Sequence, residues 1–143
     1  MLQSGLSGVF FAVSTKSLVN MKALTEKEQM VMGVLWEHRH CSVDDVVGFL
    51  PEPKPAYNTI LTFLRILEKK EFISYQEDGR KHIYYPLIEK GEYTRWTLTD
   101  MKEKLFNGSA RSMVNTFIME SGLSDSDVRE LISMLNELEN AKS

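Results

Sequence analysis

The chain has 143 residues, of which 43% are apolar and 26% charged, and its formal net charge is -3. These values are typical of one globular domain with an appendage, and the lack of any run of about 18 uncharged apolar residues argues against a membrane-spanning protein. The negative charge excludes a protein that coats nucleic acid indiscriminately, because such proteins are strongly basic, so any nucleic-acid site must be local.

The cysteine count and the N-terminal sequence indicate the cellular compartment in which the protein is expected. The one cysteine, Cys41, excludes an internal disulfide framework and CxxC metal motifs. The apolar patch from Gly8 to Val13 has no basic residue before it, which argues against a signal peptide. We therefore expect a cytoplasmic protein in which residues 1–20 form a disordered extension.

Two capping signals predict the first two helices. Thr25 is followed by Glu28 at capping-box distance, and Ser42 is followed in the same way by Asp45. Apolar residues recur at helical spacing after each signal: Val31, Val34 and Leu35, with Met32 and Trp36 on the flank, and then Val43, Val46, Val47 and Leu50. The first helix is expected to reach about residue 39 and the second to end near Pro51.

The third predicted helix runs from near Pro55 to about Lys70, after the loop "PEPKP". On a helical wheel the apolar side holds Tyr57, Ile60, Leu61, Leu64 and Leu67, the polar side holds Asn58, Thr62, Arg65 and Lys69, and the flank holds Thr59, Phe63 and Ile66. A polar outer face by itself is typical of any solvated helix.

A β-hairpin follows the third helix. "FISYQ" and "HIYYPLI" are rich in aromatic and β-branched residues, and the intervening "EDGRK" contains Asp78-Gly79, a strong hairpin signal. Three helices closed by a hairpin predict a winged helix-turn-helix domain over residues 21–88, in a fold that is mostly α with a small β wing.

Residues 89–143 predict three more helices without a companion sheet: about 89–106, a helix capped by Ser109 to about Glu120, and one capped by Ser124 to about Asn140. Three short helices cannot easily bury this much apolar surface within one chain, so we expect a helical dimerisation region. Its expected contacts are Trp96, Met101, Leu105, Phe106, Met113, Val114, Phe117, Leu131, Met134, Leu135 and Leu138.

Four stretches carry a resemblance to a known family. "LTEKEQMVMGVLWEH", "YNTILTFLRILEKKEFI", "GRKHIYYPLI" and "LFNGSARSMVNTFI", in this order, resemble the BlaI/MecI penicillinase repressors over about residues 23–140. The resemblance implies a homodimer that binds a pseudo-palindromic double-stranded DNA operator and blocks transcription. It also implies a membrane sensor protease whose activation leads to cleavage of the repressor, with Met113 to Phe117 lying where that family's cleavable helix would be. The copper-responsive branch uses C-terminal cysteines, which this chain lacks after Cys41.

The predicted DNA contacts divide by role. The N-terminal half of a recognition helix usually meets base edges, which favours Asn58, Thr59 and Thr62. Tyr57 is expected to turn its ring inward and its hydroxyl towards the DNA backbone. The expected phosphate contacts are Lys54, Arg65, Lys69, Arg80 and Lys81, and His82 is expected to face solvent or phosphate.

Other interpretations remain open. A winged helix also serves as a protein–protein interaction module, without sequence-specific DNA binding, and a small-molecule sensor would need a pocket between the dimer helices. The cluster His38 to Cys41 lacks a fourth ligand at a usual zinc spacing, so we expect no metal and no cofactor. The sequence shows no nucleophile matched with a general base and no paired carboxylates for acid–base catalysis, so it does not predict an enzyme.

Overall fold

The computed structural model describes residues 21–142, which form six helices and one two-stranded antiparallel sheet. The elements are α1 (Glu26–His38), α2 (Val43–Phe49), α3 (Tyr57–Lys69), β1 (Ile73–Asp78), β2 (Lys81–Pro86), α4 (Lys90–Phe106), α5 (Ala110–Glu120) and α6 (Asp125–Lys142). This order confirms the predicted winged-helix architecture followed by helices. The predicted extension, residues 1–20, lies outside the described residues. Within them, no helix has the length and apolar character to span a bilayer.

The starts of α1 and α2 are fixed by the predicted capping boxes. The backbone N–H of Glu28 donates to Thr25 Oγ1 at 3.2 Å, and the N–H of Thr25 donates to Glu28 Oε1 at 3.1 Å. Ser42 and Asp45 make the same reciprocal pair at 3.1 and 3.0 Å. Each pair satisfies backbone donors that a helix start leaves without partners, which confirms both predictions.

The core of the N-terminal unit lies between the first three helices and the base of the hairpin. Its fully buried side chains include Val31, Met32, Leu35, Val46, Ile60, Leu64, Leu67, Phe72 and Ile73. Each such side chain contributes roughly 1.5–3 kcal/mol through removal of apolar surface from water. Met32, placed on the flank by the helical wheel, has no exposed surface at all. This core holds α3 by one face only.

The hairpin is joined to the segment between α1 and α2 by an isolated β-bridge. Cys41 and Tyr84 form an antiparallel bridge, with N–O distances of 3.0 and 2.7 Å. At the tip, Asp78 pairs with Lys81, so the two-residue loop is Gly79-Arg80, one residue later than the Asp78-Gly79 turn predicted. Gly79 has φ 64°, a left-handed conformation that glycine adopts at little cost.

The first turns of α4 belong to the N-terminal compact unit, which extends to Thr97. Trp36 Nε1 donates to the carbonyl of Ile88 at 2.8 Å, and the backbone N–H of Leu24 donates to the hydroxyl of Tyr93 at 2.8 Å. Trp96, predicted as a dimer contact, packs against this core, and its ring lies 5.8 Å from that of Tyr93. These contacts within the single chain therefore cover part of the apolar Trp96 side chain.

The C-terminal unit begins at Leu98 and contains the rest of α4 with α5 and α6. Ser109 caps α5 and the Ser124–Asp127 pair caps α6, as predicted. Neither α5 nor α6 has a buried residue. The side chains of Leu105, Phe117, Met119 and Leu135 are between 55% and 70% exposed, so this unit presents a broad apolar surface.

Candidate nucleic-acid interface

The outer face of α3 is the first part of the site. Ile60, Leu64 and Leu67 fix the helix to the core, which leaves four predicted contacts exposed on the other side: Asn58, Thr62, Arg65 and Lys69. Thr59 is also exposed, but it lies on the flank and lines a second cleft, between α3 and α1. Thr62 Oγ1 donates to the backbone carbonyl of Asn58 at 2.9 Å. This bond fixes the hydroxyl along the helix and leaves its lone pairs available to a donor.

The hairpin and α3 together form an open cleft of about 230 Å³. Its lining residues are Ser42, Val43, Asp44, Tyr57, Leu61, Arg65, Arg80, Lys81, His82 and Tyr84. Three cations from two separate elements, Arg65 on α3 with Arg80 and Lys81 on the wing, thus border one concave surface. None of the three forms a salt bridge within the described part of the chain. Their charges are available to an anionic partner.

Tyr57 does not turn inward as predicted. Its side chain is 50% exposed and lines the cleft. The wheel placed it on the apolar side, but it is the first residue of α3, and Cβ atoms point towards a helix's N-terminus. Tyr57 is therefore only half covered, unlike Ile60 and Leu64 in the turns that follow.

Lys54 is engaged elsewhere. Its Nζ donates to the carbonyls of Gly48 and Leu50, both at 2.6 Å, at the end of α2. The ammonium thus satisfies carbonyls that have no partner within the helix, and two of its three donors are used. Neither Lys54 nor Lys69 lines the cleft, so the structure brings together only part of the predicted phosphate-binding set.

The cleft residues outside the predicted contact set include His82, which was expected to face solvent or phosphate, and Asp44. Strand alternation could have indicated His82, since it lies two residues before the buried Tyr84 on the same face of β2. Asp44 is exposed in the first turn of α2, where a carboxylate suits the helix dipole. It adds one negative charge to a rim that otherwise carries three cations.

A second, larger cleft of about 350 Å³ lies between α1, the loop before α3, and α3. Its walls are mainly apolar side chains and the prolines Pro51, Pro53 and Pro55. Lys27 and Glu52 are its charged lining residues, of opposite sign. The smaller cleft is therefore the one suited to a polyanion.

The histidine and cysteine cluster after α1 is built into the packing. The ring of His38 stacks on Phe49 with centroids 3.6 Å apart, and Cys41 is fully buried. Burial, with the charge of Asp45 as a smaller cause, raises the pKa of the Cys41 thiol to about 11. Across residues 21–142, no three His, Cys, Asp or Glu side chains are grouped to hold a metal ion.

Comparison with known proteins shows that the sequence is similar to those of repressors. The sequence profile of the penicillinase repressor family matches residues 24–137. The penicillinase repressor of Bacillus licheniformis is 29% identical over 120 residues, which cover 83% of this chain and 94% of that protein. The methicillin resistance regulatory protein MecI of Staphylococcus aureus (strain N315) is 27% identical over 115 residues, covering 80% and 94%. A solution structure of monomeric B. licheniformis BlaI in complex with the blaP half-operator is 28% identical, covers 51% of this chain and 90% of that one, and has a TM-score of 0.44.

Proposed function

Because the chain belongs to the penicillinase repressor family, we propose that it is a homodimeric, sequence-specific DNA-binding repressor that occupies a pseudo-palindromic operator and thereby blocks transcription. The family is one of repressors, so the chain is not an enzyme. Cytoplasmic location is part of the proposal, since the operator DNA of a bacterium is there.

The observation that carries the proposal is the cleft shared by α3 and the wing. A chain with a net charge of -3 nevertheless places Arg65, Arg80 and Lys81 around one concave surface. Such a local concentration of cations suits the phosphates on either side of a DNA groove, while an α-helix fits within the major groove. The exposed face of α3 supplies the groups that would meet base edges.

The two kinds of contact contribute differently. Asn58 can donate to and accept from one adenine, and a good bidentate contact of this type discriminates against the wrong base by about 1–3 kcal/mol. Each phosphate neutralised by Arg65, Arg80 or Lys81 adds affinity that does not depend on sequence and that falls with salt. Lys69 belongs to the second group, and Tyr57, with an exposed ring and hydroxyl, can hydrogen-bond to phosphate.

Dimerisation is proposed through the C-terminal unit. Its helices α5 and α6 carry exposed Val114, Phe117, Leu135 and Leu138, of which each is at least 50% exposed. A second copy of the chain would cover this apolar surface, and a two-fold dimer would present two recognition helices to two half-sites. The remaining proposed contacts are Met101, Leu105, Phe106, Met113, Leu131 and Met134.

Selection from a random double-stranded DNA pool tests the proposal directly. The purified chain should enrich a site made of two related halves, and its affinity for that site should fall steeply with salt. If the folded protein enriches no DNA sequence, the alternative of a protein–protein interaction module is favoured. The salt dependence separates the two in the same way, because the affinity of a packed protein interface changes little with salt. Sedimentation of the free protein reports the dimer independently.

Relief of repression by a membrane sensor protease is also proposed, on the strength of the family resemblance. The stretch from Met113 to Phe117 lies in α5, of which no residue is buried. A protease would have to unwind this helix to reach its backbone, and cleavage there would detach α6 from the DNA-binding unit. Mass spectrometry of the repressor after induction in cells would locate the cut, and an intact chain in induced cells would contradict this step.

A further inference from the structure

One side of the wing extends the protein core towards the cleft. Directly opposed residues on β1 and β2 form a ladder on this side: Ile73 with Pro86, Tyr75 with Tyr84, and Glu77 with His82. Ile73, Tyr84 and Pro86 are buried, whereas Glu77 and His82 are exposed. Because side chains at alternate positions share a face, His82 lies on the helix-facing side of the hairpin, close to its turn.

The His82 ring is held in place but keeps its edge accessible. It stacks on Tyr75 with centroids 4.1 Å apart and planes 7° apart, and it lies edge-on to Tyr84 at 6.2 Å. Its Nε2 is 3.9 Å from Glu77 Oε2, and the side chain is 42% exposed. The charged and titratable groups around it are Glu77 and Tyr75 of β1, Lys81 and Tyr84 of β2, Arg80 of the turn, Arg65 and Tyr57 of α3, and Asp44 of α2.

We propose that His82 is a DNA contact that binds in its protonated form, so that operator binding takes up one proton at this residue in each protomer. The inference rests on the proposed function, which it deepens by adding a contact and a pH dependence. His82 lines the same cleft as Arg65, Arg80 and Lys81, and a phosphate bound between them would lie within reach of the ring edge.

The neighbouring carboxylate makes the protonation state matter. With neutral His82, Glu77 leaves an uncompensated negative charge on the helix-facing side of the wing, which repels phosphate. Protonation of His82 offsets that charge and adds an N–H donor. DNA phosphates in turn favour the imidazolium, so binding strengthens as the pH falls.

The other two histidines serve as internal controls. His38 stacks on Phe49 and His40 lies 5.7 Å from Tyr85, and neither lines the cleft. The chain has three histidines in all, and histidine is the side chain whose ordinary pKa, about 6.5, lies in the range to be titrated. A proton taken up on binding near neutral pH can therefore be assigned by substitution.

The test measures operator affinity from about pH 6 to about pH 8 at constant ionic strength. Each linked proton weakens wild-type binding by at most about tenfold for each pH unit by which the pH rises, so a dimer with two His82 residues loses at most about a hundredfold per unit. His82→Gln should bind with the weaker, high-pH affinity throughout, and His82→Lys should bind with the tighter, low-pH affinity throughout. His40→Gln should keep the wild-type slope. Calorimetry in two buffers of different ionisation enthalpy counts the proton directly.

The outcomes are distinguishable. If His82→Gln keeps the wild-type pH slope, or if calorimetry detects no proton uptake, the inference is wrong although DNA binding stands. If the wild-type protein binds no DNA site at any pH, the proposed function itself fails. Circular dichroism of each variant confirms that the exposed substitution leaves the fold unchanged.

Discussion

Nζ of Lys70, at the C-terminal end of α3, donates to Oε1 of Glu28 over 2.7 Å. The same oxygen accepts from the backbone N–H of Thr25 and so caps α1. The Glu28 side chain is only 6% exposed, and that of Lys70 is 24% exposed. One carboxylate thus joins the start of the first helix to the end of the helix that is proposed to enter the DNA groove.

Glu28→Gln tests this connection. The amide keeps a capping oxygen but loses the charge, and we expect the free energy of unfolding at neutral pH to fall by about 2 kcal/mol, as for hydrogen bonds to charged groups. Burial raises the pKa of Glu28, but the bonds from Lys70 and Thr25 lower it by more, so the pKa lies below its ordinary value of 4.5. The ionised form therefore stabilises the fold above that value, and its contribution is lost as the pH falls through the folded-state pKa.

Denaturant unfolding at neutral pH and at progressively lower pH provides the measurement. The gap in unfolding free energy between wild type and Glu28→Gln should narrow as the pH falls below about 4.5. Glu26→Gln, an exposed carboxylate in the same first turn, is the matched control and should change stability little. A gap that stays constant with pH would show that the charge of Glu28 does not stabilise the fold.

Arg65→Ala should weaken binding to every DNA sequence, because the residue is proposed to contact phosphate rather than a base. The slope of log affinity against log salt should become shallower by about one for each half-site, and so by about two for the dimer on its full operator, because one neutralised phosphate is lost per protomer. Arg95→Ala, an exposed arginine of α4 outside the cleft, removes the same charge and should leave that slope almost unchanged. Equal slopes for wild type and Arg65→Ala would remove Arg65 from the interface.

Asn58→Ala should act on specificity instead. We expect preference at one base position of each half-site to relax by about 1–3 kcal/mol, while binding to unrelated DNA changes little. Competition against a set of operators with single base changes gives the discrimination at each position. An equal loss of affinity for all members of the set would place Asn58 at a phosphate.

The parts of this fold that could be predicted from sequence are those fixed by near neighbours. Thr25 and Glu28, three residues apart, are enough to start a helix, and the alternation after Phe72 is enough to predict a hairpin. Such signals depend on local backbone geometry. They do not require contacts with residues that are distant in the sequence.

The predictions that were missed or wrong depend on groups distant in the sequence or on the ends of elements. The Glu28–Lys70 bond spans 42 positions, and no local pattern indicates it. Lys54 stays a predicted phosphate contact, chosen for its charge and its place before α3, but its bonds to the last carbonyls of α2 could not be foreseen, because they depend on how the proline loop folds back. Tyr57 was placed on the buried side by a helical wheel, which treats every turn of a helix as equally buried. The first turn of α3 is more exposed than the turns that follow, and Tyr57 lies in it.

Leu135→Asp tests the proposed dimer. The side chain is 58% exposed in the single chain, so a charge there costs little in the monomer but would be buried without a partner at the interface between two copies. We expect sedimentation to report monomers, and affinity for a two-half operator to fall at least about tenfold, because each monomer then binds one half-site on its own. Asn136→Asp introduces the same charge at the next exposed position of α6 and should leave the dimer intact. If Leu135→Asp also remains dimeric, the two copies associate through another surface.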